Sequence, residues 1–295
     1  MQAAAAAAGA QQYPAGALYV VATPIGNLAD LSLRAIHVLS LVDAIACEDT
    51  RHSAPLLRHL GLDKPLLVVH EHNEREAAHV VLARLAKGER VAYVSDAGTP
   101  AVSDPGAALV TAARLAGHAV MAVPGPSSAA TAVSVAGDAM GTGFHFLGFL
   151  PTRGADRAQA VAALAGSLAT QVLFEAPHRI EALARELAQA CAARSLTLCR
   201  ELTKQFETVV TMPAETLPGW LTADPNRTRG EFVLVLHARI DDAAGASIAQ
   251  HDKLLKPLLA ALPLKQAVSL AAEVSGAPRN ALYARALELK NDARE

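Results

Sequence analysis

Residues 91–128 read VAYVSDAGTPAVSDPGAALVTAARLAGHAVMAVPGPSS, and this stretch decides the fold. Val91–Val94 and Ala119–Val123 are short apolar runs with the length and β-branched content of buried strands. Each runs into a loop of small residues, SDAGTP and PGPSS, that leads toward a helix. Between them Ala107–Leu115 carries a helical pattern, and Gly117 stands where a helix stop is expected. A strand–loop–helix–strand–loop unit of this kind predicts an α/β domain with a parallel sheet. Both loops should leave the same sheet edge, where open α/β sheets bind ligands.

Working outward, Leu18–Ala22 is a first strand that enters the turn TPIGN, with Asp30 or Ser32 as N-cap of the following helix. Asp43–Cys47 is a second strand and ends in Glu48-Asp49-Thr50-Arg51-His52. Pro65–Val69 is a third, followed by HEHNE, a solvated turn before the helix Glu74–Ala86. His70 and His72 alternate faces if that strand continues, and no third ligand is evident, so no metal is expected. Ala129–Ala136 is a small-residue helix able to approach the sheet closely. The N-terminal α/β domain is placed at 17–143, after a disordered Ala-rich leader at 1–16. Strand-like runs at Phe144–Leu150, Gln171–Glu175, Leu196–Arg200, Phe206–Met212 and Glu231–Ala238 predict a second α/β domain, 144–240, with a mixed sheet. A polar linker, 241–250, then precedes a helical tail, 251–295. Two of its helices meet at Ser275-Gly276-Ala277 as in a helix-turn-helix, with Arg279, Asn280, Tyr283 and Arg285 on the second; a plain helical bundle fits the same pattern.

The chain has 295 residues, 52% hydrophobic and 4% aromatic, with a formal net charge of −2. That balance argues against a strong general polyanion binder. Cys47, Cys191 and Cys199 have no zinc-like spacing, which suits a reduced, cytoplasmic protein. No uniformly apolar run is long enough to span a membrane. SDAGTP and PGPSS offer backbone N–H groups, hydroxyls and the Asp96 carboxylate, but no Lys or Arg. Such a set suits an amino-acid moiety, a ribose or an adenine better than a polyphosphate.

The combination VATPIGNLADLSLRA, ACEDTRHSAPLLRHLG, VSDAGTPAVSDPG, VPGPSSAATA, FLGFLP, FEAPHRI, CRELTKQFE and GEFVLVL resembles the RsmI-type ribosomal RNA 2′-O-methyltransferases, within the tetrapyrrole methylase superfamily. The resemblance runs from about Leu18 to about Ala238, and the tail resembles that family's helix-turn-helix appendage. It implies a two-domain tetrapyrrole-methylase-like α/β fold, with a parallel-sheet N-terminal domain, a mixed-sheet second domain and a C-terminal helical helix-turn-helix-like appendage. It also implies S-adenosylmethionine in the interdomain cleft, a homodimer, and methyl transfer to the 2′-hydroxyl of a cytidine in small-subunit (16S) ribosomal RNA, naked or in the assembled 30S subunit. Carried over by matching position, the cofactor contacts are Pro24, Asp96, Gly98, Thr99, Ser127 and Ser128, with Phe174 and the GEFVLVL strand across the cleft.

A sulfonium cofactor needs no metal, because its methyl is already activated, so positioning and a proton acceptor carry the remaining demand. Glu48, Asp49, Glu175, His178 and Glu201 are candidates; Asp49 with Arg51 is favoured, and His178 comes second. Arg153, Arg157, Arg179, Arg200 and Lys204 are candidates for RNA phosphate contacts. Two other readings compete: a small-molecule methyltransferase acting on a tetrapyrrole or diphthine precursor, for which a GxGxG first loop is expected instead of TPIGN, and a non-enzymatic nucleotide-sensing protein with a DNA-binding tail.

Overall fold

A computed structural model describes residues 1–70, 73–239 and 251–292. The linker expected at 241–250 and His72 of HEHNE lie outside the described residues. In the first domain β1 (Leu18–Val21), β2 (Ala44–Cys47), β3 (Leu66–Val68), β4 (Val91–Val94) and β5 (Val120–Val123) form a sheet of order β3-β2-β4-β1-β5, parallel throughout. β2 and β4 are buried along their whole length, as strands covered on both faces by helices must be. One face packs Tyr19, Val21, Ile45 and Ala92 against Val38 and Leu39; the other packs Leu18, Val91 and Tyr93 against Val81, Leu85 and Leu109. Because β1 lies between β4 and β5, the turns TPIGN, SDAGTP and PGPSS leave the sheet side by side.

The connecting helices are α2 (Leu33–Leu41), α3 (Thr50–His59), α4 (Glu74–Ala86), α5 (Ala107–Leu115) and α6 (Ser128–Ala136). Ser32 caps α2, accepting from the Ala35 N–H. Glu74 Oε1 accepts from the N–H groups of Gly106, Ala108 and Leu109 at 2.9–3.1 Å, supplying the otherwise unpaired donors at the start of α5. Residues expected as a disordered leader instead hold α1 (Gln2–Ala8), which packs on α2 with Ala4 and Ala8 buried. The cause is local: an alanine run has the highest helix propensity, and the methyls at i and i+4 share one face. Tyr13 closes this segment by donating to the Ala8 carbonyl at 3.0 Å.

The second domain carries a sheet of order β6-β7-β10-β8-β9, built from β6 (Phe144–Phe149), β7 (Thr170–Glu175), β8 (Ser195–Arg200), β9 (Thr208–Pro213) and β10 (Phe232–Leu236). Only β6 and β7 pair in parallel; the other pairs are antiparallel, so the sheet is mixed. β10 sits at its centre. Phe232, Leu234 and Leu236 point into a core with α7 (Gly154–Gly166), α8 (Ile180–Ala190) and α9 (Leu217–Thr222), while Val233 and Val235 point the other way. There they meet Ala129, Ala132 and Ala136 of α6, so the small-residue helix of the first domain covers the second sheet.

The tail is a separate unit beginning at Ala238. Its helices α10 (Asp252–Ala261), α11 (Leu264–Ser275) and α12 (Arg279–Asp292) enclose a core of Leu255, Val268, Ala271, Leu282 and Ala286. Gly276, at φ +69°, ends α11 in the left-handed region. Arg285 forks onto both oxygens of Asp252, 2.9 and 2.6 Å, and holds that carboxyl below its usual range. No described helix is long and apolar enough to cross a membrane.

The burial pattern sets a test. Leu234→Ala, at a fully buried position, should cost about 2–5 kcal/mol in urea unfolding. Leu115→Ala, at a position 85% exposed, should change stability by less than about 0.5 kcal/mol. Equal losses would mean that β10 is not central to the second core.

Candidate active site

The three adjoining turns are tied to one another. Thr23 and Gly98 exchange backbone hydrogen bonds of 2.8 and 3.0 Å. Thr99 Oγ1 donates to the Pro126 carbonyl at 3.0 Å, and Thr23 Oγ1 to the Ser95 carbonyl at 3.2 Å. Gly98 has φ +79°, and a Cβ there would sit 3.4 Å from Ile25 Cγ2, so the loop backbone itself forms the wall. Tyr93, buried below, donates to the Pro105 carbonyl at 2.7 Å and anchors the far end of the same loop.

Across from these turns stands the second domain, and between them lies a cleft of about 350 Å³, at the small end of the range for ligand sites. The first domain contributes Ile25, Ala97, Gly98, Thr99, Val102, Asp104, Ser127 and Ser128; the second contributes Phe149, Phe174, Glu175, Ala176, Pro177, Leu202, Glu231, Phe232 and Val233. Phe149 and Phe146 both meet the Phe174 ring edge-on, at 5.6 and 4.9 Å. Gly26 lies where the two domains close: a Cβ there would come within 2.9 Å of Thr203 Oγ1 and 3.0 Å of the Leu202 carbonyl. Among the described residues, positive φ at a non-glycine occurs at Ala101, Ser103, Glu201 and Thr203. All four lie in the two loops that flank the cleft. At about 1–3 kcal/mol each, such strain persists only where the surroundings enforce it.

The cleft fits S-adenosylmethionine. Its walls offer backbone amides, serine hydroxyls and aromatic faces, and its charged lining residues are Asp104, Glu175 and Glu231. No Lys or Arg lines it among the described residues, which suits a ligand carrying a sulfonium and an ammonium and not a polyphosphate. Gly98, Thr99, Ser127, Ser128 and Phe174 line this cleft as expected from the sequence. Pro24 and Asp96 do not: they face an adjoining hollow of about 210 Å³, shared with Thr23, Leu28, His52, Ser53, Pro55, Leu56 and Ser95.

Asp96 is spoken for by α3. Its Oδ1 accepts from the Asp49 N–H at 3.1 Å, and its Oδ2 lies 2.8 Å from His52 Nδ1. Asp49 caps α3 and takes the Arg51 guanidinium through both oxygens, 2.8 and 3.1 Å from Nε. That guanidinium hydrogen bond holds the Asp49 carboxyl down to about 2, which leaves it a weak base. Asp49, His52 and Asp96 offer ligand atoms within 4.8 Å of one another, a grouping not foreseen in the sequence because it spans two loops. Behind them burial, then the charge of Asp96, pushes the Glu48 carboxyl up. Burial, against a Ser95 hydrogen bond and with the charge of Asp96, does the same to Asp104. Asp104 is the cleft acid that sequence reading missed; its signal was the second Ser-Asp of SDAGTPAVSDPG.

The remaining nominees divide sharply. His178 is exposed and lines neither hollow. Glu175 is buried between Arg179 at 3.0 Å and Arg157 at 3.6 Å, and Glu201 is paired with Lys204 at 2.8 Å. Of the cations expected on RNA, Arg157 is buried: it grips Glu186 and donates to the Pro151 carbonyl at 3.0 Å. Arg179 donates to the Leu150 carbonyl at 2.7 Å, Arg200 to the Phe206 carbonyl at 3.2 Å, and Lys204 bridges Glu201 and Glu231 at 2.8 and 2.9 Å. These four brace the second domain. Arg153 is exposed at the start of α7. The cysteines are free, and burial pushes the Cys199 thiol up to about 12, away from any nucleophilic role.

Two sheets meeting at a cleft of this kind define a methylase architecture, and residues 17–218 match the family Tetrapyrrole (Corrin/Porphyrin) Methylases. The chain belongs to that family. Residues 245–290 match the RsmI C-terminal HTH domain. Curated relatives called ribosomal RNA small subunit methyltransferase I occur in Xylella fastidiosa, 46% identical over 91% of this chain and 98% of the relative, and in Pasteurella multocida, 42% identical over 92% and 97%. One from Escherichia coli O157:H7 is 43% identical over 92% and 95%. The fold is shared with a diphthine synthase (TM-score 0.58, 18% identity, 75% of this chain and 89% of that one). It is also shared with uroporphyrin-III C-methyltransferase from Thermus thermophilus complexed with S-adenosyl homocysteine (TM-score 0.55, 17% identity, 75% and 97%). The chain is accordingly a methyltransferase that uses S-adenosylmethionine.

Two substitutions test this electrostatic layout. Arg157→Ala strips the buried Glu175 of a partner and should cost about 3–5 kcal/mol in equilibrium unfolding; a loss below about 1 kcal/mol would place Arg157 at the surface. Asp104 has a raised carboxyl, so the folded state binds the extra proton and stability falls as pH rises through the ordinary carboxylate range. Asp104→Asn should therefore be more stable than the parent at pH 7, with the gap closing toward pH 4. A gap that widens on acidification would contradict the assignment.

Proposed function

We propose that the chain methylates the ribose 2′-hydroxyl of a cytidine in small-subunit ribosomal RNA, acting as a homodimer. The observation that carries this reading is the cation-free, amide-rich cleft on a chain whose relatives are named for that RNA along more than nine-tenths of their length. When bound, the cofactor supplies a methyl group activated by positive sulfur, with a neutral thioether as leaving group. The protein's own task is then to hold that group still and aim the acceptor oxygen at it, which is worth several kcal/mol of barrier.

Ser127 at the N-terminus of α6 and the amides of residues 97–99 suit the cofactor's carboxylate and hydroxyls. Phe174 and Val233 form the apolar wall for its adenine. Asp104 faces the same space with a carboxylate. Asp49, held low by Arg51, serves as the anchor of that arginine, whose side chain is 87% exposed and free to meet an RNA phosphate. Arg153, also exposed, joins it. The tail, which matches a helix-turn-helix domain, adds a second RNA-contacting unit.

Incubation with labelled cofactor and either 30S subunits or naked RNA, followed by nucleoside analysis, tests the reading. Label is expected in 2′-O-methylcytidine. Label in a tetrapyrrole or in no RNA nucleoside would overturn it. Gly26→Val, which forces the 202–204 loop away from the cleft, should weaken cofactor binding at least tenfold by calorimetry; unchanged affinity would separate that loop from the site.

A further inference from the structure

We infer that His52, oriented by Asp96, is the proton acceptor of the reaction. This rests on the methyl-transfer reading and assigns the proton-acceptor role to a residue beyond the expected candidates.

The geometry is that of an oriented imidazole. Asp96 is itself fixed, since one carboxylate oxygen accepts the Asp49 N–H at 3.1 Å while the other lies 2.8 Å from His52 Nδ1. An ionised carboxylate accepts only, so Nδ1 donates, and in the neutral imidazole Nε2 keeps its lone pair. The His52 side chain is 63% exposed and lines the hollow beside the cofactor cleft. The two cavities share their walls in sequence: Ser95-Asp96 runs into Ala97–Thr99, and Thr23-Pro24 into Ile25. A ribose in that hollow has the imidazole on one side and the cofactor cleft on the other.

Three of the competing carboxylates are already committed. Asp49 holds Arg51, Glu175 is buried between two arginines, and Glu201 holds Lys204. Among the described residues, the charged groups around His52 are Asp96 from the β4 loop and, on its own helix, Asp49 at 4.0 Å with Arg51. The opposite wall, from the turn after β1, brings no charge. In the step itself the O2′ lone pair forms the new O–C bond as the C–S bond breaks, with its electron pair left on sulfur. The O2′ proton passes to Nε2. The imidazolium remains paired with Asp96 until it releases that proton to solvent.

Three measurements on the full-length protein with 30S subunits test this. His52→Gln should lower the single-turnover rate by about 10²–10⁴-fold and abolish the rising limb of its pH profile, with cofactor affinity by calorimetry within twofold of the parent. Nitrogen-15 NMR of the parent without cofactor should show His52 as the Nδ1–H tautomer, and Asp96→Ala should return it to Nε2–H. An active parent with an equally active His52→Gln, or a parent imidazole in the Nε2–H form, overturns the inference. Rate loss on chelation, restored by a divalent cation, would make the three side chains metal ligands and overturn it as well. A parent that makes no 2′-O-methylcytidine sinks the functional reading, while the tautomer measurement still reports on the pair.

Discussion

The packing of α6, a helix of the first domain, on the sheet of the second is the contact on which the site depends. Its alanines at 129, 132 and 136 lie against Val172, Val233 and Val235 of the second domain, while the loop before it is tied to β4's loop through Thr99 and Pro126. Alanine matters because a helix bearing only methyls lets two layers approach at the near limit of interhelical or helix–sheet distance. The polar ends of the joint are matched too: Thr197 donates to the Ala136 carbonyl at 3.2 Å, and Thr170 to Asp138. With the C-terminal end locked on the second sheet, the N-terminal end can open only into the gap between the domains. That gap is the cleft, and Ser127 and Ser128 stand at its floor.

The same joint explains where strain is stored. Gly26 faces Leu202 and Thr203, and Gly148, at φ +63°, faces Ser103, so closely that neither position has room for a Cβ. Each glycine therefore meets a residue within or beside a left-handed pair, Ser103 or Thr203. Each strained loop is thus held by a glycine of the opposite domain, Ser103 by Gly148 and Thr203 by Gly26, in a conformation it would not prefer alone.

Much of this was legible in the chain. The parallel first sheet followed from four-residue apolar runs ending in small-residue loops, and the mixed second sheet from a run in which helices and hairpin-like strands alternate, with β8 and β9 too close for a crossover helix. The lining of the cleft was legible at Gly98, Thr99, Ser127 and Ser128 because small residues after strands have few other uses. Asp96 and Pro24 line the adjoining hollow instead, because a loop leaving a strand alternates its side chains and sequence does not say which side faces which cavity. The pairing of His52 with Asp96, 44 residues apart, depends on β2 and β4 being neighbours, which strand order alone supplies. Helix α1 was missed because an alanine run without a partner is marginal; α2 is that partner.

Arginine shows the opposite failure, and it bears on how RNA is held. The sequence counts Arg157, Arg179 and Arg200 as surface charge. Arg157 was in fact readable as interior, since it shares its helical stripe with buried Val161 and Leu164. The second domain has long connections whose carbonyls have no ladder partner, and these acceptors must be satisfied. Arginine, with five donors in a rigid fork, is the side chain that can do so across several strands. Arg194 reaches the carbonyls of Leu164, Ala169 and His237 at 2.8–2.9 Å, and Arg200 those of Asn226, Phe206 and Arg229 at 3.2–3.4 Å. Charges spent in this way steer nothing. On the RNA-methylating reading proposed above, a chain of net charge −2 would draw its RNA affinity from few phosphate contacts and depend weakly on salt. Recognition of the target would rest on the shape presented by the folded ribosomal subunit more than on a basic surface.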